Sequence, residues 1–249
     1  MALTYLRHQL YLHRNKVIPF LFLVLSTLGQ QAMGQGKLSG ENLPGYEYKK
    51  LRWGFSLGVN SSWYTLEHSQ YYIDKIKQEP NFTVNEKFGI GFNVNFITTY
   101  RLSPDVVLRA QPGVGYHSRA VEYMGSFEGS ENGMKLQEVN TFSGELPLLV
   151  KYESKRRKNT QMYFIGGIKP TYVVGGPKKG NPEVLQIKPF DFSIEYGVGL
   201  DMFYPFFKFS PELRYSRGIS NIHEPYESLY NNSIQKLGTN TITLYLNFE

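Results

Sequence analysis

The chain has 249 residues, no cysteine, 27 basic and 21 acidic side chains, and 15% aromatic residues, nearly all Tyr and Phe. The lack of cysteine excludes disulfides, thiolate metal sites, a cysteine nucleophile and lipid attachment at a mature N-terminal Cys. The formal charge of +6 overstates the working protein, because Arg7, Arg14 and Lys16 lie in a leading segment without acids. Without that segment the balance is about +3, which argues against a nucleic-acid partner, since one needs a concentrated basic face.

The leading segment passes from its basic stretch through an apolar run, Val17 to Leu28, to the small-residue triplet Ala32-Met33-Gly34. That order is the order of a secretory signal peptide. The apolar run is about twelve residues, short of the ~20 a helix needs to cross a bilayer. Residues 1–34 are therefore expected to be a cleaved signal, with Gln35 opening the mature protein or the cut falling just after it. Residues 35–51 carry Gly36, Gly40, Pro44 and Gly45 without a period, and read as a periplasmic leader. No later segment is a long unbroken apolar run, and an exported chain without spanning helices is either soluble outside the cytoplasm or a barrel.

From Trp53 onward the period is two, the strand signal. In 53–64, Trp53, Phe55, Leu57, Val59 and Trp63 oppose Ser56, Gly58, Asn60 and Ser62. In 88–100, Phe88, Ile90, Phe92, Val94 and Phe96 oppose Gly89, Gly91, Asn93 and Asn95. The third segment sets Val106, Leu108, Ala110, Val114 and Tyr116 against Arg109, Gln111, Gly113 and Gly115. The fourth sets Phe142, Leu146, Leu148, Val150 and Tyr152 against Ser143, Glu145 and Lys151. The fifth, 162–174, is the least regular, with Met162, Phe164, Ile168, Tyr172 and Val174 on one face and Lys169 on the other. In the sixth, Phe190, Phe192, Ile194, Tyr196, Val198, Leu200 and Met202 alternate with Asp191, Ser193, Glu195, Gly197, Gly199 and Asp201. In the seventh, Phe207, Phe209, Leu213 and Tyr215 alternate with Lys208, Ser210, Glu212, Arg214 and Ser216. The eighth sets Ile242, Leu244, Leu246 and Phe248 against Thr241, Thr243, Tyr245 and Asn247.

Connections alternate as well. Leu102 to Asp105, Ser154 to Thr160 and Tyr204-Pro205 are short, whereas 66–86, 119–138, 175–188 and 218–239 are long. Short periplasmic turns, long extracellular loops and an even strand number mark an outer-membrane barrel. The expected fold is all-β, an eight-stranded antiparallel up-and-down barrel spanning the membrane over 52–249. Strands are expected near 52–65, 87–101, 105–118, 137–153, 160–175, 188–203, 206–219 and 239–249. A soluble barrel of the lipocalin type also alternates, but with its apolar face inside. So narrow a lumen would be overpacked by Phe, Tyr and Trp from nearly every strand, whereas Tyr and Trp favour membrane interfaces. Trp53 and Trp63 stand about 23 Å apart along a tilted strand, close to the ~25 Å apolar band.

The opposite face then lines the lumen. It carries Arg109, Lys151, Lys169, Lys208 and Arg214 with Glu145, Asp191, Glu195, Asp201 and Glu212. A conducting pore more often shows one sign of charge, so this balance reads as a salt-bridged plug, with inward glycines making room for the long cationic side chains. For the hairpin between the sixth and seventh strands, a turn centred on Tyr204-Pro205 makes opposed residue numbers sum to 409. It places Asp201 opposite Lys208 and Glu195 opposite Arg214, within cross-strand reach. These four are the candidate site residues, in a structural role.

No catalytic residue, cofactor or metal ligand is expected. His117 and Ser118 come nearest to a nucleophile pair, but adjacent strand residues point to opposite faces. His68 and His223 fall in loops and read as exposed polar residues. Gly113-Val114-Gly115 and Gly197-Val198-Gly199 open no helix and so are no phosphate loops. Asn81-Phe82-Thr83 and Asn231-Asn232-Ser233 match the glycosylation acceptor pattern by composition alone. The basic run Lys155-Arg156-Arg157-Lys158 reads as a solvated turn.

Three stretches carry a family resemblance: ELPLLVKY at Glu145–Tyr152, YFIGGIKPTYVVGG at Tyr163–Gly176, and EYGVGLDMFYPFFKFSPELRYSRGISN at Glu195–Asn221. Together they resemble the PorT-type outer-membrane barrels of Bacteroidetes, whose namesake serves type IX secretion and gliding; the first three strands agree only in pattern. The closing Leu244, Leu246 and Phe248 resemble the terminal signal read by the barrel assembly machinery, except that Glu249 follows the aromatic. The resemblance implies an integral outer-membrane component needed for cargo export, working by scaffolding or assembly rather than as the conduit. Its implied partners are outer-membrane lipid, the assembly machinery and other secretion-system proteins. A generic structural or adhesive barrel, binding through its extracellular loops, is the alternative.

Overall fold

A computed structural model describes residues 40–78, 82–125, 134–176, 185–225 and 232–249. The expected signal peptide with its cleavage site, Asn81, Asn231 and the centres of the long loops lie outside the described residues. Strands β1 (Leu51–His68), β2 (Thr83–Arg101), β3 (Val106–Ala110), β4 (Gly113–Met124), β5 (Met134–Glu145), β6 (Leu148–Glu153), β7 (Thr160–Gly175), β8 (Phe190–Phe203), β9 (Lys208–Gly218) and β10 (Ile234–Phe248) follow a short 3-10 turn at Tyr46–Tyr48. One helix, α1 (Gln70–Gln78), lies between β1 and β2.

Two of the breaks in this series are proline steps within single strands. Gln111-Pro112 separates β3 from β4 and Leu146-Pro147 separates β5 from β6, because proline has no N–H for the ladder. Backbone bonds carry on across both steps, from Phe96 N to Pro112 O and Gln111 N to Pro147 O at 2.9 Å each, and from Leu146 N to Pro170 O at 3.1 Å. Taken as continuous, the strands number eight, each antiparallel to its chain neighbour, and β10 pairs with β1 to close the ring. A closed ring leaves no unpaired edge, as a backbone in hydrocarbon requires.

The outward face is apolar on every strand. Phe55, Phe92, Val114, Phe142, Val150, Phe164, Val198, Leu213 and Leu244 are all exposed. A continuous apolar surface of this extent is untenable in water. Aromatic clusters sit at both borders: Phe55, Phe207 and Phe209 gather on Phe248 with centroids 5.0 to 6.3 Å apart. Near the other border Trp63 meets Phe88 at 5.0 Å and Tyr215 at 6.4 Å.

The two faces exchange character above Trp63. Along β1 the inward series Ser56, Asn60 and Ser62 gives way to Tyr64 and Leu66, while the outward series of Trp53, Phe55, Leu57 and Val59 gives way to Thr65 and Glu67. On β5 the buried Val139 likewise alternates with exposed Glu138 and Asn140. The ladders therefore run past the bilayer into water, and β1, β2, β4, β5 and β10 reach well into the expected loops 66–86, 119–138 and 218–239. The alternation continues there with its polarity reversed, so a search for apolar outward faces stops too early. Inside this extension Tyr64, Val84, Val121, Tyr123, Val139 and Leu237 form an apolar core with Leu185, Ile187 and Ile222 from the connections. Tyr72 and Ile76 of α1 pack on it. Ser69 caps the helix, its Oγ accepting from Tyr72 N at 3.3 Å.

The opposite mouth is covered by the leader. Asn42 N donates to Asn159 Oδ1 at 2.8 Å and Asn42 Nδ2 to Phe203 O at 3.0 Å. Arg156 does not stand in solvent with its basic neighbours: it donates to Glu47 at 2.9 Å and to the carbonyls of Asn42 and Leu43, and its guanidinium lies 3.8 Å from the Phe203 ring centroid. It also donates to Lys158 O at 2.7 Å within the turn, but the acceptors on Asn42, Leu43 and Glu47 belong to a segment more than a hundred residues away, so the run alone could not reveal them. Tyr46 drops into the mouth, near Arg52 and Lys208 at 5.5 and 5.6 Å from its ring. Its phenol is held above its usual range by burial, then by the nearby Glu249 carboxylate.

With no native cysteine, single cysteines can report orientation. A membrane-impermeant maleimide should label Lys77→Cys in intact cells and leave Lys158→Cys unlabelled until the outer membrane is opened. The reverse pattern would invert the barrel.

Candidate functional site: the charged barrel interior

Strand parity determines which side chains enter the lumen, and the ten charged residues named from the sequence are all buried there. At the leader end, Lys151 Nζ bonds Asp201 Oδ2 at 2.6 Å and Glu153 Oε1 at 3.1 Å. Glu153 also takes Arg101 at 2.7 Å and Arg52 at 3.4 Å. Glu249 continues the inward parity of Asn247, so its carboxylate enters the lumen and meets Arg109 at 2.6 Å and Lys208 at 3.1 Å. The acid after the terminal aromatic thus has a packing reason. Higher up, Glu212 accepts from Arg109 at 3.2 Å, from Tyr163 OH at 2.7 Å and from Arg214 Nε at 2.9 Å. Arg214 reaches on to Glu195 at 3.0 Å and Gln111 Oε1 at 2.7 Å. Lys169 joins Glu195 at 3.1 Å to Glu145 at 3.8 Å.

Glu195 and Arg214 are thus in direct contact. Asp201 and Lys208 are 3.8 Å apart, and each has a closer partner elsewhere. The register that brings these strands together is not the expected one. Opposed residues of β8 and β9 sum to 411, as in Tyr196 with Tyr215 and Phe203 with Lys208. The turn is centred one residue later, on Pro205-Phe206, with Tyr204 and Phe207 closing it and their rings stacked at 5.1 Å. Proline suits the first corner of a β-turn and disfavours the second, which the register of 409 would have required. Ser210, in place of Lys208, now faces Asp201 and donates to it at 2.6 Å, and the Glu195–Arg214 contact is diagonal.

The inward glycines serve rings more than cations. A Cβ on Gly199 would overlap the Tyr163 ring, and one on Gly58 would stand 2.9 Å from Tyr245. Those rings in turn carry the charges: Lys151 Nζ lies 3.7 Å from the Tyr163 centroid and Arg214 lies 4.4 Å from that of Tyr245. The wall as a whole keeps its aromatics on the outside, and the lumen within the bilayer admits Tyr163 and Tyr245, each fitted over a glycine.

His117 points inward and away from Ser118, as adjacency requires. A different serine meets it, from β1 on the far side of β2: Ser62 Oγ lies 3.2 Å from His117 Nδ1, and His117 Nε2 lies 2.6 Å from Glu145 Oε1. Ser, His and Glu in this order resemble a hydrolase triad in outline. Here Ser62 is wholly buried and bonds Asn60 Oδ1 at 3.0 Å and Thr241 Oγ1 at 3.1 Å, while Asn93 donates to the other Glu145 oxygen at 3.0 Å. These bonds tie β1, β2, β4, β5 and β10 together. The adjoining cavity, lined by His117, Arg119, Thr141, Glu145, Lys169 and Asp191, measures about 30 Å³, room for little more than a water molecule. His68 ends β1, stacked on Tyr72 at 4.0 Å, and His223 is buried rather than exposed, its segment pairing with Ile187.

A family model described as an outer membrane protein beta-barrel domain matches residues 30–224. Solved structures similar to the chain include Ail, the attachment invasion locus protein of Yersinia pestis, at 12% identity and TM-score 0.38, covering 80% of this chain and 99% of that one. Neisserial surface protein A is 12% identical with TM-score 0.40, covering 80% and 98%. The outer membrane protein OprG of Pseudomonas aeruginosa is 9% identical with TM-score 0.41, covering 85% and 96%. No curated protein matches the sequence.

Truncating one member of this network should strand its partners. Arg214→Gln is expected to cost ~3–5 kcal/mol, read from urea unfolding of the barrel refolded in lipid vesicles. Adding Glu212→Gln should recover part of the loss. Adding Glu195→Gln should also recover only part of it, because each acid keeps one other cation, Lys169 at 3.1 Å for Glu195 and Arg109 at 3.2 Å for Glu212. Double variants no more stable than the single one would remove the ion pairing from this account.

Proposed function

Because the chain belongs to the outer membrane protein beta-barrel domain family and is an integral outer-membrane barrel, we propose that it acts as a closed scaffold for other proteins, specifically within the type IX secretion machinery. The observation that carries the scaffold reading is the filled lumen. Arg109, Lys151, Lys169, Lys208 and Arg214 are buried against carboxylates along its length, and a narrow lumen occupied in this way has no path for a folded cargo. The chemistry left for function lies on the mouths and the outer wall.

The secretion reading rests on the resemblance of Glu145–Tyr152, Tyr163–Gly176 and Glu195–Asn221 to PorT-type barrels. These stretches supply Glu145, Lys169, Glu195, Asp201, Lys208, Glu212 and Arg214, so the resembling part of the chain is also the part that fills the lumen. No enzymatic role is proposed, since Ser62 has no exposed surface on which to receive a substrate. A second reading, a barrel that binds a partner outside the cell, draws on α1, where Tyr71 and Ile73 remain exposed at the extracellular mouth.

Deleting the gene should abolish export of type IX cargo to the medium while leaving uptake of small solutes unchanged. Normal cargo export in the deletion strain would reject the secretion assignment and favour the second reading. A fall in small-solute uptake on deletion would reject the closed lumen.

A further inference from the structure

The turn between β6 and β7 presents its side chains in two directions. Arg156 turns onto the leader, whereas Lys155 and Arg157 remain exposed on the outside of the barrel. The turn that carries them is braced by Arg157 N donating to Thr160 O at 2.9 Å and Thr160 N donating to Arg157 O at 3.1 Å. Below it an open groove of about 650 Å³ runs along the wall, with Lys155, Arg157 and Thr160 at its rim and Met162, Phe164 and Leu200 as its floor. Met162 and Phe164 are each 65% exposed and belong to the lipid-facing side of β7, so the floor is covered by hydrocarbon. Neither rim cation has an acidic partner among the described residues, in contrast to Lys151, Lys208 and Arg214 inside the lumen.

We propose that this groove retains an anionic phospholipid of the periplasmic leaflet, its phosphate between Lys155 and Arg157 and an acyl chain along Met162, Phe164 and Leu200. The floor demands an amphiphile, and the rim decides its headgroup. A zwitterionic headgroup brings its own ammonium and leaves the two cations overcharged; an anionic headgroup does not. Arg157 adds a planar fork suited to two phosphate oxygens. Basic groups at a membrane surface favour anionic lipid by about fivefold each, so two should give a preference of roughly 30-fold.

The test is native mass spectrometry of the full barrel, extracted in mild detergent and offered equal amounts of phosphatidylglycerol and phosphatidylethanolamine. The wild type should retain phosphatidylglycerol in preference. Lys155→Gln with Arg157→Gln should bring the two lipids to near parity, with unchanged heat-modifiable gel mobility showing an intact barrel. Lys50→Gln, a cation at the same mouth outside the groove, should leave the preference in place. Equal retention by the wild type, or a preference that survives the double substitution, overturns the proposal. Displacement of the lipid by a soluble polyglutamate probe also overturns it, and assigns the rim to an acidic protein segment.

Discussion

Charge confined where water cannot reach it is the constraint on which this barrel depends. Eight strands enclose a lumen only wide enough for side chains, and a lone carboxylate or ammonium there costs several kcal/mol. The solution is not a set of isolated pairs but a chain of shared partners. Asp201 lies between Lys151 and Lys208, Glu249 between Lys208 and Arg109, Glu212 between Arg109 and Arg214, and Glu195 between Arg214 and Lys169. Each ion of this chain from Asp201 to Glu195 is compensated by at least two others, so the walls of the barrel are cross-linked from inside. The wall itself is apolar and carries none of these charges.

Much of this was legible because strand parity is a strict code. Once Phe190 to Met202 is seen to alternate with Asp191 to Asp201, the facing of every residue between them follows. Parity carried to the strand ends would also have found Arg52, Glu153 and Glu249, which share a face with Ser56, Lys151 and Asn247. The register of the β8–β9 hairpin was not legible from charge matching. It is set by the corner preference of Pro205, and long side chains then reach diagonally to pair anyway. Partners across the lumen, such as Arg109 with Glu212 or Arg214 with Gln111, belong to strands that do not neighbour each other. Their proximity depends on the closed ring and leaves no local mark in the sequence. The extension beyond the bilayer was hidden for a different reason: the alternation persists there, but water has replaced lipid as the outer solvent, and the apolar side has moved within.

The division of labour along the axis follows from that exchange of solvents. Within the bilayer the inside is ionic and the outside apolar; beyond it the inside is an apolar core closed by α1 and the connections. The leader completes the arrangement at the other mouth, where Tyr46 and Arg156 hold it against the barrel rather than leaving it to trail. A barrel filled at both levels and covered at one mouth offers partners a rigid body, with surfaces that differ at its two ends.

Glu249 gives this sealed interior a direction in time. The last strand meets the first only when the ring closes, and contacts of such sequence separation form late. Until then Arg109 and Lys208 look onto a wet cleft, where an unpartnered charge costs little. Closing expels the water and brings Glu249 to both of them at once. Reopening would have to part those ions in a dry interior. Those ions are therefore expected to slow the barrel's unfolding as well as to add to its equilibrium stability.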